Sequence, residues 1–152
     1  MFSRASTKRS TPTHRPRTCG DPGERRHDVS HRSATRAVPR DDDGAAHRFL
    51  KRSPDAELFL STIALGEFAE GFDRADHPVV TAMREGHTLV PVDDQIAFVY
   101  ARVVRELRRR GELIGTNDVW IGCASLQLGI PVVTANVADF RRIDGLGIVQ
   151  YR

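Results

Sequence analysis

From residue 45 onward, apolar and polar positions alternate in blocks whose period switches between those of helix and strand. Residues 45–51 (AAHRFLK) begin a short helix that the Ser53-Pro54-Asp55 turn stops, because proline disfavours helical backbone in the residue before it. ELFLST at 57–62 reads as a compact strand, and 63–72 as a helix with Ser61 or Thr62 available as its N-cap. Pro78 opens another helix through 84 that ends at Gly86. TLVPV at 88–92 is a second strand, interrupted by Pro91, after which Asp93 caps the longest helix. In that helix Ile96, Val99, Tyr100, Val103, Val104 and Leu107 recur at spacings of three and four, while Arg102, Arg105, Arg108, Arg109 and Arg110 take the wet side before Gly111. Asn117 or Asp118 begins a helix that is apolar on most sides and ends at Gly129, which marks it as buried. IPVVT at 130–134 is the continuous apolar strand of a sheet covered on both faces, and GIVQY at 147–151 is a weaker last strand. Strands separated by helices imply βαβ connections and an α/β fold with a parallel sheet.

Composition changes this picture mainly at the front of the chain. Residues 1–40 hold 10 of the 23 Lys+Arg and only 3 of the 20 Asp+Glu, so the net charge of +3 hides a basic segment ahead of an acidic body. Arg, Ser, Thr, Pro and His fill 26 of those 40 positions and only eight are apolar, too few to offset the entropy of ordering. Residues 1–44 therefore read as a disordered Arg-rich tail and 45–152 as one domain. Three readings of the tail stay open: an arm that neutralises RNA phosphates, a solvated extension, or sequence outside the native reading frame. No apolar run reaches 18 residues and no signal-peptide h-region is present, so the expectation is a cytoplasmic protein without a membrane partner. Cys19 and Cys123 lie far apart without CxxC or Cys/His spacing, which argues against a disulfide framework or structural zinc. No GxGxxG, P-loop, GxSxG or HExxH pattern occurs, leaving nucleotide binding and serine hydrolysis without support.

Three acids fall just past predicted strand ends, where the active site of a parallel sheet lies. Glu67 is one turn into the helix after ELFLST, Asp118 opens the buried helix, and Asp139 follows IPVVT in VTANVADF. Converging carboxylates repel and need a cation, and oxygen-only ligands favour Mg²⁺ or Mn²⁺ over zinc, the chemistry of phosphodiester hydrolysis. Each also has a plainer reading: Glu67 as a solvated helix residue, Asp118 as an N-cap or first-turn acid, Asp139 and Asn136 as turn residues. Trp120 and Tyr100 read as core rather than base-stacking platforms, and His77 and His87 as surface residues near helix ends.

STIALGEF around Glu67, NDVWIGCASLQLGIPVVTANVADFRRI from Asn117, and the closing GLGIVQY together resemble a PIN domain of the VapC type, the toxin ribonuclease of bacterial toxin–antitoxin pairs. The resemblance implies a three-layer α/β/α sandwich, Mg²⁺- or Mn²⁺-dependent cleavage of RNA, homodimerisation, and a cognate antitoxin protein that blocks the site. It implies catalytic roles for Glu67, Asp118 and Asp139, and metal ligation by Asp118, Glu67 and Asn136, with Asn136 or Asp139 filling the family's fourth position.

The chain departs from the family at the first strand, which is apolar, central in the sheet and ends in Asp. Asp28-Val29-Ser30 has the letters, but its flanks GERRH and HRSATR are polar; Asp41, Asp42 and Asp43 follow no apolar strand and are flanked by Pro39 and Gly44. A domain lacking that strand would expose an unfilled sheet edge and lose one acidic ligand, so weak or absent nuclease activity is expected. Two other readings stay open: a non-catalytic PIN remnant that still binds an antitoxin-like partner, and an RNA binder that works through its basic tail.

Overall fold

The computed structural model describes residues 32–35 and 44–151. Elements alternate along the chain as β1 (Arg32–Thr35), α1 (Ala45–Arg52), β2 (Glu57–Ser61), α2 (Thr62–Ala69), α3 (Pro78–Glu85), β3 (Thr88–Val90), α4 (Asp94–Arg110), α5 (Thr116–Leu128), β4 (Val132–Thr134), α6 (Val137–Phe140) and β5 (Ile148–Gln150). The strands form one parallel sheet in the order β3-β2-β1-β4-β5. This is the α/β architecture expected from the alternating pattern.

The central slot overturns one expectation. No strand was expected ahead of residue 45, yet β1 lies in the middle of the sheet, with Ala34 opposite Phe59 on one side and Val132 on the other. Four residues of sequence RSAT carry no apolar period to read. The strand is fixed by backbone pairing with both neighbours, which sequence periodicity does not register. Arg32–Thr35 is therefore part of the sheet rather than of a tail, and the expected unfilled edge is occupied. Cys19, Asp28, Asp41, Asp42 and Asp43 lie outside the described residues, as does the rest of the basic segment.

Local chemistry explains the other boundaries. The Ser61 side chain accepts a hydrogen bond from the Ala64 N–H at 3.1 Å and starts α2, and Asp93 does the same for α4 through Ile96 N–H at 2.9 Å. Gly111 and Gly129 end α4 and α5 in the left-handed conformation, at φ 69° and 65°. Both Pro91 and Pro131, which cannot donate to a ladder, lie just outside the shortened strands β3 and β4. Helix α2 stops three residues earlier than its apolar pattern suggested, and α5 starts at Thr116, with Gly115 rather than Asn117 or Asp118 at its N-cap position. Asp118 is instead a first-turn acid.

The core gathers Leu60, Val132 and Phe140, all fully buried, with Leu107 and Ile121 at about the same depth. Tyr100 and Trp120 stack with ring centroids 3.7 Å apart and an interplanar angle of 9°, joining α4 to α5 against that core, as their reading as core residues anticipated.

Candidate active site

The carboxyl ends of β2 and β4 lead directly into α2 and α6, so the sheet delivers Glu67 and Asp139 to the same end of the molecule at which α5 begins. Asp118, in the first turn of α5, is only 8 % exposed, and a charge at that depth belongs at a helix N-terminus, where peptide dipoles favour an anion. Thr134 ends β4, and its hydroxyl accepts from the Asn136 N–H at 2.9 Å, turning the chain so that the Asn136 side chain faces α5.

The Asn136 amide nitrogen donates to two carboxylates, Asp118 Oδ2 at 3.3 Å and Asp139 Oδ2 at 2.8 Å. The two acids thus oppose each other across one nitrogen atom. The Asn117 amide donates to Glu67 Oε1 at 3.1 Å, linking the third acid to the same turn of α5. Arg142 completes the rim, with Nη2 3.8 Å from Asp139 Oδ1 and Nη1 donating to the Leu113 carbonyl at 3.4 Å.

All four residues picked from the sequence therefore lie in one neighbourhood, though not as a closed ligand cage. Among the described residues no three or more His, Cys, Asp or Glu side chains surround a point able to hold a metal ion. Asn136, expected as a ligand, acts here as a donor between two acids, and Glu67 is engaged by Asn117. The donor chemistry still fits Mg²⁺ or Mn²⁺: Asp118 and Asp139 offer oxygen only, and Mg²⁺ commonly takes one or two protein carboxylates with water and substrate phosphate filling the rest. Asn117 and Arg142 are site residues that sequence reasoning missed. Asn117 stood next to Asp118 in the motif, but nothing in its spacing signalled a partner 50 residues earlier.

His77 caps α3, its Nδ1 accepting from the Val79 N–H at 3.3 Å, and its ring packs on Phe72. His87 Nδ1 lies 2.8 Å from the Met83 carbonyl. Neither joins the acid cluster. Cys123 is a buried free thiol whose pKa burial pushes up to about 12, partly offset by the charge of Arg102, so it is a packing residue rather than a nucleophile. No helix among the described residues is long and apolar enough to cross a membrane.

A parallel α/β sheet with acids gathered past the carboxyl ends of its strands defines an acid-centred α/β protein. The PIN domain model matches residues 34–146, and the chain belongs to that family. Its similarity within the family runs to the VapC type: it is 29 % identical over 107 residues to Ribonuclease VapC1 of Haemophilus influenzae (strain R2866), covering 66 % of this chain and 79 % of the relative. In fold it is similar to VapBC-1 from nontypeable Haemophilus influenzae (TM-score 0.64, 24 % identity, 79 % of this chain and 97 % of that one). It is also similar to a DNA-bound VapBC from Salmonella typhimurium (TM-score 0.69, 21 % identity, 80 % and 98 %). The family match begins inside β1, consistent with that strand being part of the sheet.

Proposed function

We propose that the protein is a divalent-metal-dependent endoribonuclease of the toxin–antitoxin type, working slowly because β1 (RSAT) brings no acid to the centre of the sheet. The observation that carries this reading is the pair Asp118 and Asp139, opposed across the Asn136 amide at the carboxyl end of the strands. The similarity to Ribonuclease VapC1 supports the substrate class.

In this reading Asp118 and Asp139 hold a Mg²⁺ or Mn²⁺ ion, which when bound supplies positive charge to a phosphodiester and lowers the pKa of water. Asn136 holds the two carboxylates facing each other through its amide, which turns aside to admit a cation between them. Glu67, held by Asn117, stands as the acceptor for a proton from an attacking water. Arg142 partly neutralises Asp139 and offers a guanidinium to an incoming phosphate. An antitoxin protein that covers the acids belongs to the same reading, supported by the likeness to VapBC structures, and a homodimeric assembly is part of it as well.

The test is cleavage of mixed-length single-stranded RNA by the purified full chain with Mn²⁺ and with EDTA. Slow cleavage that needs Mn²⁺ and disappears in Asp118→Asn, with the helical circular dichroism kept, is the expected result. Cleavage equal in EDTA, or undiminished in Asp118→Asn, overturns the assignment. No cleavage at any Mn²⁺ concentration leaves a non-catalytic antitoxin-binding protein as the reading.

A further inference from the structure

The acid site cannot by itself attract an RNA strand, since its carboxylates repel phosphates, so affinity has to come from beside it. A cavity of about 380 Å³ lies between α4 and the segment that follows α6, and five of its lining side chains are arginines: Arg102, Arg105, Arg109, Arg110 and Arg142. No lysine lines it. Arginine presents a planar fork that meets a phosphate through two parallel hydrogen bonds, where lysine offers a point charge.

The five differ in how far they are already committed. Arg109 is bound to Glu106 at 2.5 Å, which also draws the Glu106 carboxyl below its ordinary range. Arg110 is bound to Asp144 at 2.6 Å and Glu112 at 2.8 Å and donates to the Arg142 carbonyl, fastening α4 to the far wall of the cavity. Arg102 and Arg105 are exposed and have no ion pair among the described residues. Arg102, Arg105 and Arg109 lie at i, i+3 and i+7 on one face of α4, about 10 Å from first to last at 1.5 Å per residue. Arg142 lines the same cavity and reaches Asp139 at 3.8 Å. The basic wall is therefore continuous with the acid site, on a domain that is otherwise net acidic.

We infer that Arg102, Arg105 and Arg142 form a track for the RNA backbone that feeds the strand to Asp118 and Asp139, with Arg110 as the staple that holds its two walls together. The inference rests on the ribonuclease reading for the identity of the polyanion. An acidic protein segment could pair with the same guanidinium groups, but continuity with Asp139 favours the molecule that has to reach the acids. A solvated arginine face would need neither the concavity nor that connection.

The test is fluorescence anisotropy of a labelled single-stranded RNA on the full chain in EDTA, across a salt series, for the parent, Arg102→Gln/Arg105→Gln, and the charge-matched control Arg52→Gln/Arg84→Gln from α1 and α3. The track predicts a roughly tenfold loss of affinity at low salt in the first variant, and a fall in the slope of log K against log salt of about 1.4, as two lost phosphate contacts give for a single strand. The control should stay within about twofold of the parent. With Mn²⁺, KM for long RNA should rise while kcat on a dinucleotide is kept. Equal weakening in both variants, or no weakening in the first, overturns the track. Loss of polyglutamate binding with RNA binding intact overturns it in favour of an acidic protein partner. Failure of the ribonuclease reading shows separately, as absence of Mn²⁺-dependent cleavage by a parent chain whose RNA binding still depends on Arg102 and Arg105.

Discussion

Helices α4 and α5 pack against each other through the Tyr100–Trp120 stack, yet they solve opposite problems. Helix α5 is enclosed nearly all round, with Val119, Ile121, Gly122, Cys123, Ala124 and Ser125 buried, so the one acid it carries sits in its first turn, where unsatisfied N–H groups favour an anion. Helix α4 buries only Ile96, Val103 and Leu107 and presents arginines along its C-terminal half, from Arg102 to Arg110. Helix burial thus sorts charge: a buried helix places chemistry at its end, and a half-exposed one spreads it along a face. In this molecule the two outcomes adjoin, acids at the tip of α5 and guanidinium groups on the flank of α4.

The contrast can be broken most forcefully from the α5 side. Ile121→Ala, at 1 % exposure, should cost about 2–5 kcal/mol in urea unfolding, as buried large-to-small changes do. A loss under about 1 kcal/mol would mean that α5 is not enclosed. The Cys123 thiol offers a second probe. Its folded pKa of about 12 lies above its ordinary 9.0, so the unfolded chain releases the proton first as pH rises. Its contribution to stability is therefore complete below pH 9 and lost as pH climbs towards about 12, and in a Cys19→Ser chain the native Cys123 thiol should resist alkylation at pH 8. Rapid labelling without unfolding would contradict its burial. The stack joining the helices should show a coupling of about 0.5–1.5 kcal/mol in a Tyr100→Ala/Trp120→Ala double-mutant cycle, and additivity would reduce it to mere proximity. Smallest of all, Phe98→Ser on α4, at 70 % exposure, should shift stability by no more than about 0.5 kcal/mol. A large loss there would show that this face is covered in solution.

The same contrast separates what the sequence alone shows from what it does not. Helix α4 was legible because its apolar stripe and wet face differ, and its Asp93 and Gly111 boundaries follow capping chemistry. Helix α5 was legible because it is apolar on most sides and is followed by IPVVT. Glu67, Asp118 and Asp139 were found by their place past strand ends, a rule of parallel sheets rather than of composition. What stayed hidden depends on contacts between distant residues. The amide of Asn136 could as well have been a ligand as a donor, Asn117 meets Glu67 only once α2 lies beside α5, and nothing in the spacing of Arg142 ties it to Asp139. Strand β1 was missed for the same reason, since RSAT gains its identity from Phe59 and Val132 on its two sides.

The position of β1 also has a consequence in time. Val132 follows Ala34 by 98 positions. At a synthesis rate of about 5–20 residues per second, the β4 edge is made about 5–20 s after β1. Through that interval β1 can pair only with β2, while its other edge waits for a partner still being translated. The centre of the finished sheet is, during its making, its margin, and the chain closes from both sides on a strand that came first.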